Sequence, residues 1–175
     1  MPATPKQQFL DAYDREHAIT MKVLRAYPKE KLELRPSPKI KTARELAWVF
    51  VQECGLGAKL WNDEFAKGVP SGGSAPKAPE NWNDLLAAID KASKDYRNLV
   101  DSTPDAKLSD KTHFFTAPKT MGEMTRLESA WFLLHDQIHH RGQFSVYLRL
   151  ADGKLPSIYG PTADEPMPGL SPAKK

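Results

Sequence analysis

The sequence predicts an all-α protein, a four-helix bundle followed by an irregular Pro-rich C-terminal tail. Two observations carry that expectation. Four long stretches repeat apolar residues at helical spacing. Strand signals are weak everywhere between them, while Gly- and Pro-rich segments separate the stretches. Four amphipathic helices must bury their apolar stripes against one another, and a bundle is the simplest way to do so.

The first helix is expected from Pro5 to Ala26. Thr4 can cap it and Pro5 suits its first turn, where a missing N–H costs nothing. Phe9, Tyr13, Met21 and Leu24 form its stripe, with His17 among them. The second helix is expected from Ala43 to Lys67. Thr42 and Glu45 have the spacing of a capping box, in which each side chain satisfies a free backbone donor near the other. Leu46, Val49, Phe50, Glu53, Leu56, Leu60 and Trp61 trace one face, and Gly68 suits a stop. The third is expected from Glu80 to Val100, on Trp82, Leu85, Leu86, Ile89, Tyr96 and Leu99. The fourth is expected from Thr120 to Ala151, started by a second capping box at Thr120 and Glu123 and ended by Asp152-Gly153. The stretch Gly68–Pro79 reads as a linker within one domain spanning residues 1–168. Residues 169–175 are expected to be disordered.

Composition narrows the function. With 25 basic and 22 acidic residues, the formal net charge is +3 and the charges are interspersed. That balance argues against a nucleic-acid partner. No apolar run is long enough to cross a bilayer, and no helix joins a polybasic face to a large exposed apolar one, so no membrane partner is expected. The single cysteine, Cys54, precludes an intrachain disulfide and points to a cytoplasmic setting. Placed inside a helix, Cys54 reads as a small buried residue rather than a nucleophile.

The chemistry concentrates in Trp131–Leu150, WFLLHDQIHHRGQFSVYLRL. His135 and His139 stand at i and i+4, so their Cβ atoms lie about 6 Å apart on one face. Two imidazoles so placed can meet one divalent transition metal. They can equally be hydrogen-bonded, inert residues. His140 points about 100° away from His139, and Asp136 suits a supporting acceptor for a neighbouring histidine. Arg141 can pin a helix end or the tail, or hold an anion bidentately.

The segment HDQIHHRGQFSVYLRLADGKLPSIYGPTADEP closely resembles the signature of the DinB/YfiT-like superfamily of bacterial helical bundles. LRAYP near the end of the first helix and ARELAWVF at the start of the second support the likeness, which covers nearly the whole chain. The resemblance implies an up-down-down-up bundle, often a homodimer associated with stress. It also implies a divalent metal held by one histidine of helix two and two of helix four. The helix-four pair falls on His135 and His139. At the helix-two position, where the family reads ELxxH, this chain reads Glu45-Leu46-Ala47-Trp48-Val49, and valine cannot ligate. Glu53, one turn on, supplies an anionic oxygen in its place.

The expected site is therefore His135, His139 and Glu53 around zinc, nickel, iron or manganese. Two functions follow. One is a metal-dependent enzyme of thiol-transferase or hydrolase type, acting on a low-molecular-weight thiol or another small substrate. The other is a non-enzymatic dimeric module for a small ligand or protein partner, its metal site degenerate. No phosphate loop, nucleophile elbow or CxxC motif selects a reaction.

Overall fold

The structure is a computed structural model that describes residues 2–68, 76–118, 120–167 and Gly169. Four helices carry the fold: α1 (Pro5–Arg25), α2 (Ala43–Trp61), α3 (Trp82–Ser102) and α4 (Arg126–Leu150). Each start has a side-chain acceptor for free backbone donors. Thr4 accepts from Gln7, Thr42 and Glu45 close a capping box, and Asn81 accepts from Asn83 and Asp84. Short 3-10 turns at Lys29–Lys31 and Asp105–Lys107 lie in the connections.

Contacts between the helices give their directions. Phe9 packs edge-on against Trp131 and Glu16 pairs with Arg141 further along, so α1 and α4 run parallel. Lys6 reaches Thr103 while His17 reaches Asp90, so α1 and α3 are antiparallel. Glu53 lies against His140 and the Trp61 carbonyl accepts from Arg126, so α2 opposes α4. The chain thus runs up, down, down, up. α1 packs on α3 and α4, and so does α2.

The all-α expectation is corrected by an antiparallel hairpin, β1 (Lys111–Ala117) and β2 (Thr120–Thr125), placed where helix four was expected to begin. The register pairs Lys111 with Thr125 and Phe114 with Gly122, with an irregularity between Phe115 and Ala117. Its cause is local. Thr112, Phe114, Phe115 and Thr116 are β-branched or aromatic, types that suit a pleated, half-buried ribbon. Gly122 opposes them without a side chain, and a Cβ there would lie 2.3 Å from Thr116 Cγ2. The hairpin covers the end of α2. Buried Thr112 donates to the Leu60 carbonyl, and Phe65 packs edge-on against Phe114 and Phe115. Helix α4 then starts at its own capping box, Thr125 with Glu128.

Helix α2 also stops earlier than expected, at Trp61. Asp63 takes a left-handed backbone (φ 54°), and its carboxylate accepts from both the backbone N–H and the ring of His113 at 2.9 Å. The interior falls into a cluster around Leu46, Phe50, Leu85 and Phe144, a second around Phe9, Tyr13, Trp61 and Tyr96, and a third beneath the hairpin. Residues 151–167 form neither helix nor strand, and they return to α1 through Lys22–Glu165 and Tyr159–Glu16. The expected disordered end lies outside the described residues, apart from Gly169.

Candidate metal centre

Between α2 and α4, the antiparallel pairing brings Glu53 to the level of His140. Glu53 is 5% exposed, and its Oε1 lies 2.7 Å from His140 Nδ1. Asp136 stands one turn before His140, with Oδ1 3.8 Å from the same nitrogen. One ligand atom from each of the three residues lies within 4.8 Å of the other two. Despite the short Glu53–His140 distance, the angles make no hydrogen bond. Both Glu53 oxygens and His140 Nδ1 are buried without a hydrogen-bond partner among the described residues.

The electrostatics follow from that arrangement. Burial, then the nearby Asp136 charge, push the Glu53 carboxyl up to about 9. Burial lowers His140, with the Asp136 charge opposing it, so the imidazole is biased toward its neutral, ligating form. Buried acceptors left without donors are costly. A divalent cation satisfies all three at once. Two carboxylates and one imidazole form a hard, oxygen-rich set suited to manganese, iron or zinc. The residues present therefore fit a metal.

Of the expected ligands, Glu53 stands in this group. His135 and His139 lie one position before Asp136 and His140, on the exposed side of α4. His135 stacks obliquely on Trp131, and His139 Nε2 meets Gln143 Nε2 at 2.9 Å. Asp136 and His140 form a second i, i+4 pair within the same six residues. Their signal lay in the row they continue, Leu133 before them and Phe144 and Tyr147 after, all of which are buried. Val49, where the resemblance called for a histidine, is buried in the core one turn before Glu53.

Two neighbours complete the surroundings. Cys54 is buried, and burial raises its thiol to about 11, the protonated side of neutrality. Its sulfur lies 3.6 Å from Tyr13 Oη and from Gln137 Nε2. Arg141, the next residue after His140, is 2% exposed. It donates to the Glu16 carboxylate at 2.8 Å, to the Glu16 carbonyl at 3.1 Å and to the Tyr159 hydroxyl. It pins the tail to α1 and leaves the metal group to its neighbours.

The DinB family model matches residues 1–169, and the chain belongs to the DinB family. An uncharacterised protein of Bacillus subtilis strain 168, YrdA, is 26% identical over 160 residues, covering 90% of this chain and 89% of that one. A crystal structure of a DinB-like protein from Bacillus cereus is similar, with a TM-score of 0.71 and 22% identity over 86% of this chain and 95% of that one. The DinB-like YjoA of Bacillus subtilis gives a TM-score of 0.66 at 15% identity, over 86% and 97% of the two chains. Among the described residues, no helix is long and apolar enough to cross a membrane.

Proposed function

We propose that this protein is a metal-dependent DinB family member that holds a divalent transition metal on Glu53, Asp136 and His140. The observation that carries the reading is the set of orphaned atoms: two buried carboxyl oxygens and an imidazole nitrogen that face one another with no hydrogen bond made among them. When bound, such a metal polarises a ligand and lowers the pKa of a coordinated water or thiol. The chain supplies the rest. Glu53 and Asp136 bring two negative charges that balance a divalent cation, and His140 brings a neutral nitrogen. The packing of Glu53 against the core excludes water from the inner side. His140 borders an open groove, which gives a small substrate access to the outer side. This supports chemistry of the thiol-transferase or hydrolase type.

A second reading, a dimeric module that binds a small ligand or protein with a degenerate metal site, is favoured by Val49 at the family's histidine position. Elemental analysis by plasma mass spectrometry on untagged protein separates the two. The expected result is stoichiometric manganese, iron, nickel or zinc that is lost in Glu53→Ala and His140→Ala and kept in a His135→Ala/His139→Ala double variant. Loss in the double variant alone would move the site to the exposed pair. No metal, and no uptake of added metal, would leave the binding module.

A further inference from the structure

We propose that the groove beside the metal group binds a small, multiply anionic molecule through Lys39, Lys41 and Lys77. This deepens the metal reading by naming the charge class of its ligand, and rests on that reading for whatever occurs at His140. The groove encloses about 1300 Å³ and has five basic side chains in its wall, Arg35, Lys39, Lys41, Arg44 and Lys77, against two carboxylates, Glu45 and Glu80.

The arginines are already engaged. Arg35 pairs with Glu45 at 3.0 Å, and Arg44 pairs with Glu33 at 2.6 Å. Elsewhere the chain's lysines tend to have acidic neighbours: Lys6 has Asp105, Lys22 has Glu165, Lys91 has Asp95 and Lys94 has Asp90. Lys39, Lys41 and Lys77 are exposed, and no ion pair to them is seen among the described residues. Arg44 Nε adds a buried donor with no partner in the same wall.

The lysines are also held in place. Tyr147 donates to the Lys41 carbonyl at 2.7 Å, and Arg35 donates to the Ile40 carbonyl at 2.9 Å. Trp48 Nε1 donates to the Pro76 carbonyl at 2.8 Å, which brings Lys77 to the groove. A concave wall carrying unpaired charges of one sign focuses its potential on the enclosed space and draws in ions of the other sign. Three separate ammonium groups match several acidic groups on one ligand, with Trp48 and Tyr147 as apolar wall. Glu53 and Asp136 do not line the groove, so the acidic groups of a ligand meet the lysines there.

Phosphates and carboxylates share this chemistry, and calorimetric titration distinguishes them. The full chain is titrated with inorganic pyrophosphate and, separately, with tricarballylate, and metal content is measured on the same samples. At least one of them is expected to bind. Affinity should fall by about tenfold or more in Lys39→Gln/Lys41→Gln/Lys77→Gln, and stay unchanged in Lys91→Gln/Lys94→Gln. Tighter pyrophosphate binding assigns a phosphate ligand, and tighter tricarballylate binding a polycarboxylate. Binding of neither, or equal binding by the triple variant, overturns the proposal. A metal-loaded parent that binds neither anion refutes the groove alone, and a parent that binds an anion but takes up no metal refutes the metal site alone.

Discussion

Glu53 is a carboxyl held almost out of water with no hydrogen bond to it, protonated near neutral pH until a cation displaces its proton, and that defines its chemistry. Glu53→Gln places an amide donor among Asp136 and His140. The folded, metal-free parent keeps Glu53 protonated up to about pH 9, while the unfolded chain ionises it near 4.5, so parent and variant should melt alike only below pH 4.5. Once pH has risen through about 9 the parent's buried carboxyl is ionised too, and the variant should melt at least about 2–4 °C higher, the equivalent of about 1 kcal/mol at this chain length. The same variant should lose metal. Thermal melts from pH 4.5 to above pH 9, with and without chelator, check both, and a Glu53→Gln variant no more stable than its metal-free parent above pH 9 would show that the carboxylate is satisfied. Glu16 is the contrasting case. Burial works to raise its carboxyl, but the Tyr159 hydroxyl and the Arg141 guanidinium outweigh burial and hold it below the ordinary range. A carboxylate depressed in the folded chain stabilises above its unfolded value, near 4.5, and that stabilisation is lost as pH falls through the folded value. Glu16→Gln should therefore flatten the acid limb of the stability curve, which urea melts at successive pH values would record.

At the scale of elements, the capping boxes decide where helices begin. Thr125→Ala should cost about 1 kcal/mol, because its side chain and that of Glu128 serve each other's backbone donors. Thr120→Ala should cost little, since Thr120 is an exposed strand residue. Equal effects in a chemical denaturation series would put the helix start back at Thr120. Both Thr-x-x-Glu patterns are visible in the sequence, and the choice between them is not. It was made by pairing of β2 with β1, a contact that local periodicity does not carry. Helices α1 and α3 are legible almost to their ends because cap and stripe agree. On α4 the proposed ligands stand one residue after the expected pair. In FLLHDQIHH, several helical rows contain apolar residues, and the row that faces α2 is set by packing. Glu53 belongs to the expected and the proposed group alike, because it offers an anion one turn beyond Val49.

The whole molecule depends on close approach at Gly57 and on the strap that closes over α1. A Cβ at Gly57 would lie 2.8 Å from Tyr96 Cε2 and 3.0 Å from Leu133 Cδ1, wedging α2 from both α3 and α4. Gly57→Ala should therefore destabilise by about 1–3 kcal/mol despite its better helix propensity. Equilibrium unfolding reads this directly, and a stabilised variant would mean the helices sit further apart. Because α2 carries Glu53 one turn earlier, metal affinity should fall with stability.

Arg141 meets Glu16, 125 residues before it, and Tyr159, 18 residues after it. During synthesis the guanidinium enters a half-built interior whose last hydroxyl has yet to leave the ribosome. Contacts spanning so much of the chain also slow folding, since the long loop must close before they form. The nascent protein therefore reaches its final packing only after Tyr159 has emerged. A ribosome stalled just after the fourth helix would hold a bundle with a buried cation lacking one of its partners, a substrate for chaperones and proteases rather than a finished protein.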